Sequence, residues 1–150
     1  MNLIQLIRII DDLPDGFPAL LADAASEGVG NMALLAQGWA SGDQRFDQDG
    51  EALLGALLAG ELAGIGGLSI ATATAEPARR VRRFYIRPAF RRQGVARTLA
   101  SALVQEALDQ VDLLTCNAAA SPAAGPFWEA QGFSPDTSGS WTHLLRRSLG

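Results

Sequence analysis

Apolar and polar positions follow two different rhythms along this chain. Residues 3–10 (LIQLIRII) are apolar with single polar interruptions at Gln5 and Arg8, a pattern that predicts a first strand. Turn residues follow at 11–16, including Pro14 and Gly16. The spacing then becomes helical. Phe17, Leu20, Leu21 and Ala24 share a face of a helix over 17–26, and Met32, Leu35, Ala36 and Trp39 do so over 31–41. The polar run 41–50 (SGDQRFDQDG) reads as a loop. Two apolar segments, 51–59 and 61–70, meet at Gly60-Glu61, which suits a hairpin. The first is rich in the helix formers Ala and Leu, but Gly55 and the turn after it favour a strand. Residues 72–80 read as a loop, and 81–87 (VRRFYIR) as a β-prone strand. A helix is predicted over 94–110, with Val95, Leu99, Ala102, Leu103 and Ala107 as its buried stripe. A strand at 111–117, a short helix at 125–131 and a last strand at 140–148 complete the order β-α-α-β-β-β-α-β-α-β. There is no repeat and no linker, so a single α/β (α+β) domain is expected over 1–150.

Composition narrows the classes. Of 150 residues, 48% are hydrophobic and 19% charged, which excludes a disordered chain. The longest apolar stretch, Ala52 to Ile70, is broken by five glycines and Glu61, so no membrane span is expected. The N-terminus has neither a basic start nor a small-residue cleavage site, unlike a secretory signal. One cysteine, Cys116, and one histidine, His143, leave no disulfide framework and no Cys- or His-built metal site. A reducing cytoplasm is the expected compartment. Cys116, in an apolar strand, reads as a buried hydrophobe. His143 alternates with Trp141 and Leu145 and reads as structural.

Charge is unevenly placed. The chain has no lysine; its 12 cations are arginines, eight of them between Arg79 and Arg97. Ten of the 16 acids lie in the first 61 residues. The arginine segment can be a solvated face, an anion site, since guanidinium pairs well with phosphate oxygens, or a nucleic-acid contact. The net charge of −4 and the confinement of the arginines argue against a nucleic-acid footprint.

The candidate chemistry lies around Pro88. Pro88 ends the strand, because it lacks an amide hydrogen and restrains its neighbour. Gly94 then opens the helix. Unpaired amides of a first helical turn, together with the helix dipole, attract anions. Gly94 and the small Ala96 let an anion approach, and Arg91, Arg92 and Arg97 add charge. The same residues also fit an ordinary basic turn.

Arg91-Arg92-Gln93-Gly94-Val95-Ala96 resembles the R/Q-x-x-G-x-G/A motif of the GNAT superfamily of N-acetyltransferases. It follows Ile86-Arg87-Pro88, similar to the apolar-x-Pro strand end of that family, and Phe127 to Phe133 resembles the family's late helix ending in Gly-Phe. The resemblance covers nearly the whole chain. It implies a mixed, mostly antiparallel twisted sheet of 6–7 strands with about four helices, splayed between parallel strands 81–87 and 111–117. It implies acetyl-CoA as co-substrate and direct acetyl transfer to an amine, without a covalent enzyme intermediate. Carried over by residue, it implies that amides of Arg92, Gln93, Gly94, Val95, Ala96 and Arg97, with Arg91, cradle the pyrophosphate. Backbone of Phe84, Tyr85 and Ile86 would pair with the pantetheine arm, with the Ile86 amide as oxyanion donor. Ser121, Phe127 and Trp128 would complete the cofactor site. A homodimer through an exposed last strand is a possible assembly by the same analogy.

Two positions depart from the family pattern. Trp128 stands where a tyrosine often protonates the leaving thiolate, and indole is no acid, though its N–H can donate a hydrogen bond. Ser121 stands where an asparagine is frequent. Those departures keep a second reading open, a CoA-binding module with weakened chemistry. Tyr85 can serve as an acid or simply pack. For the base, Asp47, Asp49, Glu51 and Glu61 are candidates, each equally readable as a solvated acid. Trp39, Arg45 and Phe46 form a candidate acceptor wall, with Trp39 also readable as core. The acidic front half favours a cationic acceptor. Gly28-Val-Gly30-Asn-Met-Ala33 mimics a dinucleotide fingerprint but follows a helix rather than a strand.

Overall fold

Seven strands form one sheet in the order β1-β2-β3-β4-β5-β7-β6, in a computed structural model that describes residues 3–148. The strands are β1 (Ile4–Arg8), β2 (Ala52–Leu58), β3 (Glu61–Ala71), β4 (Ala78–Ile86), β5 (Leu113–Cys116), β6 (Ser134–Pro135) and β7 (His143–Arg146). The helices are α1 (Phe17–Ser26), α2 (Asn31–Ser41), α3 (Val95–Leu108) and α4 (Ala124–Ala130). All strand pairs are antiparallel except β4 with β5.

The sheet separates two cores. On one face, Leu99, Ala100, Leu103 and Ala107 of α3 and Trp128 of α4 pack on Leu54, Leu68, Val81 and Leu114. On the other, Leu20 and Ala24 of α1 and Met32, Leu35 and Trp39 of α2 pack on Leu53, Leu62 and Ile65. β2 and β3 are buried on both faces, which explains why their sequences are continuously apolar rather than alternating.

Several expectations need correction. Strand β4 begins at Ala78, inside the segment read as a loop, because Arg79, Arg80 and Val81 pair with both β3 and β5. The last strand is not an exposed edge, since β7 lies between β5 and β6. β1 is the outer strand at the far side. The reading of Gly28–Ala33 as no dinucleotide fingerprint needs no correction, because Gly28 ends α1. It adopts φ +74, and the amides of Gly28 and Val29 return to Ala25 and Ala24, a glycine-capped helix end. No helix among the described residues is long and apolar enough to cross a membrane.

Candidate active site

The site begins where two parallel strands part. β4 pairs with β5 only through Arg79–Val81 and Leu114–Cys116. Beyond Val81 the β4 edge is open on that side. A bulge sits at the parting point: Arg82 faces Gly67 and Tyr85 faces Ile65, so Arg83 and Phe84 share a single β3 position. Arg83 takes φ +55 there. The extra residue resets the alternation of β4 and adds bend and twist. Arg80 and Arg82 point to the α1–α2 side with their β3 partners Ser69 and Gly67. After the bulge Phe84 and Ile86 turn to the α3 side and Tyr85 to the α1–α2 side.

A cleft of about 700 Å³ occupies the opening. Its floor is β4 from Arg80 to Ile86, and its far wall is Asn117 with Ala120–Ala124 and the rings of Phe127 and Trp128. Phe84, Phe127 and Trp128 form an aromatic cluster with centroids 4.9–5.8 Å apart.

The direction of the β4 backbone follows from its pairing. Arg87 N–H donates to Ala63 O at 2.8 Å, so Ile86, one residue earlier, is in a non-hydrogen-bonded position opposite Gly64. Its N–H and C=O therefore point away from β3, into the opening. The chain's own side chains take two of the carbonyls there. Asn31 Nδ2 donates to Phe84 O at 3.0 Å, and Arg91 donates to Ile86 O through Nε at 3.1 Å and Nη2 at 3.0 Å. The Ile86 N–H is left facing the cleft.

At one end of the cleft stands the start of α3. Gly94 occupies the left-handed region at φ +85, where a residue with a Cβ is strained. The first intrahelical bond is Thr98 N–H to Gly94 O, so the amides of Val95, Ala96 and Arg97 have no acceptor within the helix. No side chain caps this end. Arg92 and Arg97 are exposed and take no carboxylate partner among the described residues. Gln93 Nε2 reaches back to Ala89 O at 3.3 Å. The Val95 side chain is core, so only its amide serves this end.

Arg91 is placed differently from the expectation. It is not free for an anion. It forms a two-pronged pair with Glu27, at 2.9 and 2.7 Å, while gripping Ile86 O. Glu27 also accepts the Tyr85 hydroxyl. One turn earlier on α1, Asp23 pairs with Arg87 at 2.7 Å. Asp23 and Glu27, four residues apart on a helix face, thus tie α1 to the end of β4. The Arg91 hydrogen bond, with that of Tyr85, holds the Glu27 carboxyl below the ordinary carboxylate range. Its support of the fold is present above that range and is lost as pH falls through its lowered value. Burial, with the Glu27 hydrogen bond, pushes the Tyr85 phenol well above its usual 10. Tyr85 therefore keeps its proton and directs it to Glu27. Because this is the chain's single tyrosine, absorbance at 295 nm reads it alone. The native protein should show no phenolate at pH 10, whereas the urea-unfolded chain titrates at about 10. Stability should fall as pH rises past that value. A native midpoint near 10 would contradict the Tyr85–Glu27 bond.

The four proposed acids lie elsewhere. Glu51 accepts from the amides of Gln48 and Ile70, closing the loop before β2. Asp47 and Asp49 lie in that same loop, and Glu61 opens β3 at the hairpin. Glu27 is the carboxylate that lines the cleft. Trp39 and Phe46 are core residues, 7% and 4% exposed, and line neither the cleft nor the smaller hollow beyond it. The Phe46 ring lies over Gly67, where a Cβ would come within 2.5 Å of it. Arg45 donates to Trp39 O and lies over its ring. Ser121 is exposed on the cleft wall. Cys116 is buried, which pushes its thiol up to about 12. His143 is buried between Thr142 and Glu129, at 2.8 and 2.9 Å. Asn31, not read as a site residue from the sequence, lines the cleft, and its Oδ1 is buried without a partner.

A sequence model described as an acetyltransferase (GNAT) domain matches residues 21–140. The chain belongs to the GNAT acetyltransferase family. The fold agrees with solved structures of the family. A protein of Exiguobacterium sp. 255-15, described as an acetyltransferase, superposes with a TM-score of 0.84 at 26% identity, over 95% of this chain and 93% of that one. An acetyltransferase from Streptococcus agalactiae 2603 gives 0.72 at 13% identity, covering 96% and 98%. Ard1 from Thermoplasma volcanium gives 0.69 at 15% identity, covering 97% and 98%. No curated protein matches the chain significantly. GNAT membership supports an acyltransferase, in a family that uses acetyl-CoA.

Proposed function

We propose that this GNAT domain transfers an acetyl group from acetyl-CoA directly to a primary amine of a small molecule or peptide. The observation that carries the reading is the open β4 edge: an Ile86 N–H aimed into a 700 Å³ cleft that runs to the uncapped start of α3. The residues fit the donor. The amides of Val95, Ala96 and Arg97 with the Arg92 and Arg97 guanidinium groups suit a pyrophosphate. The Phe84–Phe127–Trp128 cluster offers an apolar wall to the arm. Acetyl-CoA would supply a thioester carbonyl open to attack by an unprotonated amine.

The chain's own groups then divide the work. Ile86 N–H would donate to the oxygen where negative charge develops, which is worth most when the donor is fixed beforehand. Arg91, held by Glu27, fixes the neighbouring Ile86 carbonyl, so Arg91 and Glu27 are positioning residues. Asn31 Oδ1, a buried acceptor with no partner, would accept a hydrogen bond from the amine, whose proton passes to water as the C–N bond forms and the C–S bond breaks. A thiolate leaves tolerably near neutral pH, because thiols ionise at about 8.5. An indole at position 128 is therefore compatible with turnover.

Trp128 and Ser121 support a second reading, a module that binds CoA without efficient transfer. Calorimetric titration with acetyl-CoA tests the first step, and free-thiol release over an amine panel tests the second. Micromolar binding, weakened at least tenfold in Arg92→Glu/Arg97→Glu, is the expected result. Binding without thiol release from any amine would favour the module. No binding by the folded protein would defeat both.

A further inference from the structure

Five of the chain's arginines have no carboxylate or hydrogen-bond partner among the described residues at their side chains: Arg80, Arg82, Arg83, Arg92 and Arg97. They fall into two groups, one at the start of α3 and one on the cleft floor. Arg92 and Arg97 flank the start of α3. Arg80, Arg82 and Arg83 sit at the parting point of β4 and β5, and all three line the cleft. Between them in sequence lie the last three β4 residues, Phe84–Ile86, and the turn 87–91.

The second group is built into the fold. Arg80 and Arg82, two residues apart on one strand, share a face about 7 Å apart. They also line a smaller hollow of about 230 Å³ on the α1–α2 side of the sheet. That hollow shares Cys116 and Asn117 with the cleft and is closed by Trp141, whose indole N–H is pinned to Asp136 at 3.0 Å. Arg82 Nε is buried without an acceptor. Burial, with Arg83 and Arg80 nearby, lowers the Arg82 guanidinium to about 10. Glu51 exerts a weak pull on Arg82 but is itself bonded to the Gln48 and Ile70 amides. Glu27, the carboxylate that lines the cleft, does not offset this charge. Asp23 and Glu27 are paired with Arg87 and Arg91. Clustered half-buried guanidinium groups without a counter-ion are an unfavourable arrangement unless an anion joins them.

Resting on the acetyl-transfer reading above, we propose that the acceptor is a small amine carrying its own oxyanion, a carboxylate or a phosphate, which Arg80 and Arg82 hold at the parting of β4 and β5. Guanidinium matches either group with two parallel hydrogen bonds. A hollow smaller than the 300–1,000 Å³ usual for ligand pockets suits a compact acceptor. This reverses the sign of acceptor charge that the acidic N-terminal half suggests.

The test uses inorganic phosphate as probe, on protein first saturated with CoA so that the α3 site is filled. Nε–Hε resonances of Arg80 and Arg82 should shift with phosphate, and Arg82→Gln should abolish the response while leaving CoA affinity unchanged. Arg80→Gln is the second variant should Arg82→Gln fold poorly. CoA-bound protein whose β4 arginines ignore phosphate would overturn the proposal and leave the donor site intact. Failure of CoA itself to bind would remove the acetyl-transfer reading and this one with it. Matched acceptors then separate the two oxyanions. β-Alanine against its amide and phosphoethanolamine against ethanolamine should differ at least tenfold in kcat/KM for the favoured anion. That preference should collapse in Arg80→Gln. Equal use of the charged and neutral member in both pairs would also overturn it.

Discussion

Gly94→Asp should abolish acetyl-CoA binding while leaving the chain folded. The reason lies in the φ of +85 and in the amides beyond it. Asp tolerates the left-handed region better than most residues, and no neighbour lies closer than 3.9 Å to a Cβ built at Gly94. An Asp carboxylate there would meet the unpaired amides of the first turn of α3, the position at which Asp caps a helix. The left-handed strain of about 1 kcal/mol is offset in part by that cap, so thermal unfolding should move by no more than a few degrees. The cradle would be filled by the chain's own anion, which would also repel a pyrophosphate. At least a hundredfold loss of acetyl-CoA affinity by calorimetry is expected. Gly94→Asn supplies the neutral control, with the same shape and no charge. It should retain affinity within about tenfold. Equal loss in Asn and Asp would mean that the backbone, not the anion, decides. Unchanged affinity in Asp would remove the α3 start from the donor site.

Much of the frame is readable from local pattern because its boundaries carry local chemistry. α1 and α2 occupy 17–26 and 31–41, the spans that the helical spacing predicts, since Gly16, Pro18, Gly28 and Gly30 punctuate them. The β2–β3 hairpin turns at Ala59-Gly60, both at positive φ. The start of β4 was hidden because Thr, Ala and Pro77 dominate 72–78, and only pairing on two sides makes a strand of Ala78–Arg80. The motif around Gly94 is visible because its spacing is a local property of one turn.

The rest of the site is made by contacts across the chain. Glu27 and Arg91 are 64 residues apart, and Asn31 and Phe84 are 53 apart. No local pattern distinguishes Arg91, pinned by Glu27, from Arg92, which is free. Nor does sequence reveal that the bulge at Arg83 turns Arg80 and Arg82 to one side of the sheet and Ile86 to the other. The Trp39–Phe46 wall failed for a related reason. An aromatic at a helix end and one in a polar loop look like a binding surface until the loop folds Phe46 onto Gly67.

Trp128 is where stability and chemistry meet. Its ring is 5% exposed and packs edge-on against Phe84, Phe127 and Phe133, with centroids 4.9, 5.0 and 5.3 Å away. These contacts join α4 and the turn after it to the floor of the cleft. Trp128→Ala should cost about 3–5 kcal/mol, the usual range for a buried aromatic cut to alanine. For a domain whose total stability is typically about 5–15 kcal/mol, that is a large fraction. At roughly 2–4 °C per kcal/mol for a chain of this size, melting should fall by about 6–20 °C. Trp128→Tyr separates packing from chemistry. The smaller ring keeps much of the aromatic contact, so a loss of about 1–2 kcal/mol is expected. It also brings a hydroxyl, a donor able to protonate a leaving thiolate, to the wall of the cleft. Acetyl-CoA affinity should then be unchanged and thiol release with a competent amine should rise several-fold. A fall in turnover at unchanged affinity would instead show that the indole itself, and not only its volume, serves the transfer.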